Sequence, residues 1–140
     1  NFRLTNIQAA LGVAQLEQLQ NILFLKKEIF KIYFDYLSDC DGLVIDNGPD
    51  YSENNHWLNI IKINKNVFGE TPLELMYRLE EEGIQTRPVW TLNHIQKPYK
   101  AFQNYKIEKA KHLQKNSLCL PSSSSLTKKD IKFLTQQILN

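Results

Sequence analysis

The first third of the chain repeats apolar residues at helical spacing. Leu4, Ile7, Leu11 and Ala14 are followed by Leu16, Leu19 and Leu23. The pattern continues through Ile29, Phe30, Tyr33, Phe34 and Leu37 with no proline before Pro49. Thr5-Asn6-Ile7-Gln8 has the form of a capping box: the Thr5 hydroxyl accepts from the backbone N–H of Gln8, whose side chain reaches back. The spacing predicts a helix from about residue 6 to about residue 38, roughly 50 Å long at 1.5 Å per residue. That length exceeds what one small domain can cover. The first part is rich in Ala and Gln, with Gly12 allowing close backbone approach, and the second half carries apolar residues on several sides. Such a helix suits the joining of two bodies, with residues 1–40 as an interdomain helix and residues 41–140 as a small C-terminal α/β domain. If it packs on a further body, its Leu11, Leu23 and Phe30 side is expected to stand exposed in this chain.

Beyond Ser38 the period changes. Gly42-Leu-Val-Ile-Asp46, closed by Asn47-Gly48-Pro49, reads as a strand and turn, and His56–Ile63 as a central or half-buried strand. Thr71-Pro72-Leu73-Glu74 is a second capping box, with proline at the first helical position, opening a helix that stops at Gly83. Ile84–Trp90 is a third strand candidate, interrupted by Pro88. A polar, aromatic loop follows from about Thr91 to Tyr105, then a short helix over 107–115. Leu118-Cys119-Leu120 reads as a short edge strand ending at Pro121, Ser122–Ser125 as a loop, and Thr127-Lys-Lys-Asp130 as the cap of a last helix to Leu139. The fold class is α+β: one long N-terminal helix, then a small, mainly antiparallel sheet covered by helices on one face.

Composition narrows the field of partners. A chain of 140 residues is enough for one domain and buries roughly 70% of its unfolded surface. With 17 basic and 15 acidic residues the net charge is +2, and the lysines are dispersed. Neither nucleic acid nor an anionic membrane is implied, which disfavours a nucleic-acid-binding module. Cys40 and Cys119 are lone thiols without a C-x-x-C pattern, so neither a disulfide nor a zinc site is expected. Glu80-Glu81-Glu82 is a solvated helix end, because consecutive helical positions point in different directions; no metal site is expected. No apolar run approaches the 18 or so residues that span a bilayer, and a reducing cytoplasm is the expected location. The chain starts without Met and enters a helix at once, as expected of a segment with more chain ahead of it.

Chemistry concentrates in three places. Asn1-Phe2-Arg3 stands ahead of a helix start, where an amide, a guanidinium and free N–H groups would favour a phosphate or carboxylate. The alternative is a solvated Arg3 at a frayed end. Arg87-Pro88-Val89-Trp90, continuing through Asn93, His94, Gln96, Pro98 and Tyr99, gathers a guanidinium, an indole, an imidazole, two amides and a phenol in one loop. Such a mixture suits sugar or nucleotide ligands, whose rings stack on aromatic faces while amides take the hydroxyls. An irregular loop anchored to the core by its Trp and Tyr is the other reading. Asn54-Asn55-His56-Trp57 either faces a ligand or caps the entry to a strand. No Ser/His/Asp set and no Gly-rich phosphate loop is present.

At these residues the chain resembles the pyridoxal-phosphate sugar aminotransferases of the DegT/DnrJ/EryC1/StrS family. The opening Asn1-Phe-Arg-Leu-Thr-Asn-Ile-Gln through Leu19 resembles that family's segment after its lysine-bearing loop. Gln85-Thr-Arg-Pro-Val-Trp through Tyr99 resembles its substrate-facing loop, and Leu120-Pro-Ser-Ser with Leu126-Thr-Lys-Lys-Asp-Ile131 its terminal stretch. His56-Trp57-Leu58-Asn59 and Arg87-Pro-Val-Trp-Thr91 are most similar to the subgroup that makes legionaminic acid or bacillosamine precursors.

The resemblance implies a fold-type-I aminotransferase, a cytoplasmic homodimer that moves an amino group from glutamate to C4 of a 4-keto-6-deoxy nucleotide sugar. It implies that Asn1 reaches the cofactor phosphate of the neighbouring subunit with Arg3 beside it, and that the loop bearing Arg87, Trp90, His94 and Tyr99 approaches the sugar nucleotide. The sequence departs from the commoner P-L-H-x-Q-P form of that loop, with Leu92 and Asn93 before His94 and Lys97 before Pro98. The Schiff-base lysine, the ring-stacking aromatic and the aspartate that pairs with the pyridine nitrogen belong to an upstream large domain in this family. No lysine here sits in the family's lysine motif, so no catalytic residue is assigned and the chain alone is expected to be inactive. The alternative is a free-standing binding or scaffold domain that keeps the fold without the chemistry.

Overall fold

The computed structural model describes residues 3–140. Helix α1 spans Asn6–Leu37, opened by the Thr5/Gln8 capping box. Strands β1 (Leu43–Ile45) and β2 (Asn59–Ile63) follow, then the short helix α2 (Lys65–Phe68) and α3 (Pro72–Glu81). After β3 (Arg87–Pro88) and a long loop come α4 (Glu108–Lys115), β4 (Ser117–Leu120) and α5 (Lys128–Leu139). Capping boxes at Thr71/Glu74 and Thr127/Asp130 open α3 and α5, as their sequences predict. No helix among the described residues is long and apolar enough to cross a membrane.

The sheet is antiparallel throughout, in the order β1-β2-β4-β3. This corrects the expectation that residues 118–120 form an edge strand. Strand β4 lies between β2 and β3, and all four of its residues are buried. Chain order and Pro121 suggested an edge, but spatial order is set by which neighbours pair. The true edge is β3, reduced to Arg87 and Pro88 opposite Cys119 and Leu118. Pro88 has no N–H to give a further neighbour, which suits an edge position. The expected strand over 56–63 begins only at Asn59, because His56 takes a left-handed backbone with φ 48°.

One face of the sheet carries the core. Leu43, Ile45, Ile61, Ile63, Leu118 and Leu120 meet Leu75 and Leu79 of α3 and Ile131, Leu134 and Ile138 of α5. Helix α1 adds Ile29, Phe30, Tyr33 and Leu37, so only its last third is seated. Tyr33 is fully buried and its hydroxyl donates to the carbonyl of Pro121 at 2.9 Å. Burial pushes that phenol far above the usual tyrosine range. Upstream, Leu4, Ile7, Leu11, Val13 and Leu16 all stand exposed. Leu11 therefore faces outward as expected and Leu23 is half-buried, but Phe30 does not join them; it belongs to the core.

One ion pair and one tight backbone approach fix the connections between elements. Arg78 of α3 forks onto Glu70 with Nε and Nη2 each at 2.8 Å, and also donates to the carbonyls of Gln137 and Ile138 at the end of α5. Gly42 takes φ +83°, and a Cβ there would lie 2.6 Å from the backbone nitrogen of Phe68. Gly69 has φ +96° with nothing within 4 Å. Gly69→Ala is therefore expected to cost roughly 1 kcal/mol of backbone strain, and Gly42→Ala roughly twice that or more, because a clash is added to the strain. Denaturant midpoints at unchanged slope measure both; equal costs would show that the Phe68 contact imposes nothing.

Candidate functional site

Because β3 ends at the sheet edge after two residues, the chain after Pro88 is projected off the sheet. Two 3-10 turns, Asn93–Ile95 and Lys97–Tyr99, fold it back. The Gln96 side-chain amide staples the turn, donating to the Thr91 carbonyl at 2.9 Å and to Asn93 Oδ1 at 3.2 Å. The loop borders an open pocket of about 680 Å³ lined by Trp90, Asn93, His94, Tyr99, Phe102 and Asn104 among others. Its size falls in the range of small-molecule sites. The Nε2 of His94 is buried there without a hydrogen-bond partner, an arrangement proteins rarely leave unless a further group supplies the partner.

Of the residues singled out in this loop, the structure brings Trp90, His94 and Tyr99 into one cavity. Arg87 stands outside it, exposed on β3 opposite Cys119, with no carboxylate within salt-bridge distance among the described residues. Asn1 lies outside the described residues. Arg3 is exposed ahead of the first turn of α1. A guanidinium beside a capped helix start fits the phosphate end of a cofactor such as pyridoxal phosphate. Arg3 precedes Lys26 by roughly 35 Å along the helix axis, so one chain does not bring its own Arg3 to its own loop cavity.

The strand-entry cluster resolves into two parts. Asn54 Oδ1 accepts from the backbone N–H of His56 at 2.9 Å and Asn55 Oδ1 from that of Trp57 at 3.0 Å, so the two amides cap the turn into β2. The His56 ring is 6% exposed and stacks on Phe30 with centroids 4.1 Å apart, its Nδ1 without a partner. Trp57 is 67% exposed and lies 5.9 Å from Trp90, the two rings tilted by 30°.

Lys26 and Ser122 were not legible as part of this site. Lys26 Nζ donates to the Ser122 carbonyl, to Ser122 Oγ at 3.2 Å and to the Trp57 carbonyl at 3.3 Å. The Ser122 hydroxyl donates to the Trp57 carbonyl at 2.8 Å and accepts from the Asn59 amide at 3.4 Å. Burial lowers the pKa of Lys26, while the three acceptors satisfy its ammonium donors. The partners lie 31 and 96 positions apart, so no local pattern could have joined them.

A long helix seated by its last turns on a four-stranded antiparallel sheet recurs in solved sugar aminotransferases. The fold superposes on DesI solved with its TDP-sugar product at a TM-score of 0.86 and 22% identity, covering 94% of this chain and 34% of that one. It superposes equally well on PseC of Helicobacter pylori, an aminotransferase of pseudaminic acid biosynthesis, at 0.86 and 19% identity, covering 99% and 38%. The chain matches the DegT/DnrJ/EryC1/StrS aminotransferase family over residues 1–139 and belongs to that family. Among curated relatives, EpsN of Bacillus subtilis is 34% identical over 133 residues, 91% of this chain and 33% of that protein. GDP-perosamine synthase of Escherichia coli O157:H7 is 30% identical over 139 residues, 99% of this chain and 36% of that protein. The chain thus spans about a third of the length of the relatives it matches. The family's aminotransferases depend on pyridoxal phosphate.

The setting of His56 has a consequence for pH. Burial, reinforced by the charge of Lys27, holds its pKa below the usual 6.5. The folded state therefore resists a proton that the unfolded chain accepts. Stability should be unaffected by this group above about pH 6.5 and should fall as pH drops through that value towards the folded pKa. Replacing His56 with Gln should flatten this part of the profile; an unchanged slope between pH 7 and 5 in denaturant titrations would assign the loss to other groups.

Proposed function

We propose that this chain is the sugar-positioning and subunit-contact part of an enzyme that transfers an amino group from glutamate to C4 of a 4-keto-6-deoxy nucleotide sugar. The observation that carries the reading is the loop pocket, whose lining brings together Trp90, Tyr99 and His94, the last with a buried, unpartnered Nε2. Ring faces take the apolar face of a pyranose, and the Asn93 and Asn104 amides with His94 take its hydroxyls. Arg87, exposed beside the loop and free of carboxylates, suits the diphosphate.

Arg3, with Asn1, serves the cofactor phosphate of a second subunit. The long separation of Arg3 from the loop along α1 supports this, since two ends of one helix reach two different sites. The exposed apolar first part of α1, from Ile7 to Leu16, with Leu4 just ahead of it, is the surface that the upstream large domain and the partner subunit cover. In this reading residues 1–40 act as the interdomain helix and residues 41–140 as the small domain. Pyridoxal phosphate, when bound, supplies the electron sink for amino transfer. The residues of this chain orient the sugar, hold its hydroxyls and exclude water from the loop cavity.

In the full-length enzyme, glutamate and a 4-keto nucleotide sugar should yield 2-oxoglutarate and the 4-amino sugar, with His94→Phe raising KM for the sugar substrate about tenfold. Consumption of the keto sugar without 2-oxoglutarate would overturn the assignment of amino transfer. The 140-residue chain alone should transfer nothing, and borohydride treatment with pyridoxal phosphate should leave no lysine of the chain specifically labelled; stoichiometric labelling of one lysine, read by peptide mass spectrometry, would contradict it.

A further inference from the structure

We propose that Trp57, held by Lys26 and Ser122, forms with Trp90 the stacking surface for the nucleobase of the nucleotide sugar. The proposal rests on the nucleotide-sugar reading above and extends it to a residue outside the loop cavity. Trp90 is shared: it lines the cavity with His94 and Tyr99, and its ring stands 5.9 Å from that of Trp57. The two indoles are tilted by 30°, and Trp90 and Trp57 are 59% and 67% exposed, so much of both side chains stays open to solvent.

An exposed pair of indoles beside a mainly apolar, ligand-sized pocket that also carries amides and an imidazole fits a ligand with two unlike ends. The hydroxylated end matches the amides and imidazole of the cavity. The planar end matches the indole pair, because every nucleobase offers a π-face and stacking on aromatic side chains needs no particular hydrogen-bond pattern. The same surface accommodates different bases and commits to none by hydrogen bonding.

Trp57 is not free to swing its backbone away. The Asn55 side chain accepts from its N–H, and its carbonyl receives both the Lys26 ammonium and the Ser122 hydroxyl. Lys26 comes from α1, Ser122 from the segment just past β4 and Asn55 from the turn ahead of β2, so three separate stretches of chain fix one residue. Lys26 spends its charge on these carbonyls and is thereby a positioning residue for Trp57, with no contact of its own to the ligand required. An ordinary surface tryptophan has no need of such a fixture.

Binding of uridine, guanosine and thymidine diphosphates to the full-length enzyme, read by calorimetry, tests the assignment. Trp57→Leu should weaken whichever diphosphate binds roughly tenfold and raise KM for the nucleotide sugar to match, leaving KM for glutamate unchanged. Trp57→Phe should recover most of the loss, and Lys26→Met should weaken binding roughly threefold with the ring still present. Unaltered diphosphate binding by Trp57→Leu overturns the assignment, and so does a change confined to subunit association. If the parent enzyme binds none of the three diphosphates, the nucleotide-sugar reading itself fails and takes this assignment with it.

Discussion

The seating of the last third of α1 is the contact on which the rest depends. Ile29, Phe30, Tyr33 and Leu37 follow the i, i+1, i+4, i+8 spacing of one helical stripe and enter the core beside β1, β2, β4 and α5. Leu37 is fully buried, Tyr33 ties the helix to Pro121 just past β4, and Phe30 provides the ring on which His56 stacks. Because α1 is rigid, the same seating sets the position of Lys26 one turn upstream, and through Lys26 the entry to β2.

The sheet order explains why the site lies where it does. With β4 central and buried on both sides, β3 is left as a two-residue edge ending in proline, and the chain must leave the sheet there. A loop projected from an edge can be polar and irregular without leaving backbone groups buried in the core. The loop is braced by its own turns and by the Gln96 amide, and across the fold Trp90 meets Trp57, which arrives on the opposite side of β4 through β2.

The two parts of α1 differ: its seated last third is apolar on the stripe that meets the core, while its first part carries Ile7, Leu11 and Leu16 in the open. Solved proteins with this fold extend to a GDP-4-keto-6-deoxy-D-mannose-3-dehydratase with bound hydrated PLP, at a TM-score of 0.80 and 21% identity over 94% of this chain. A dehydratase and aminotransferases therefore share the architecture described here.

Local signals in the sequence determined much of this. The three capping boxes at Thr5, Thr71 and Thr127 depend on residues three apart and are realised as written. So are the long helix, the α+β class and the family motifs, because each is carried by spacing along the chain. What the sequence could not decide was anything that depends on distant neighbours. The central place of β4 follows from pairing with β2 and β3. The loss of residues 56–58 from β2 follows from the left-handed turn that lets His56 stack on Phe30. The burial of Phe30 follows from that same contact, and the gathering of Lys26, Ser122, Trp57 and Trp90 from the packing of α1 across the strand ends. Periodicity reports which face of an element is apolar; only the packed chain reports what that face meets.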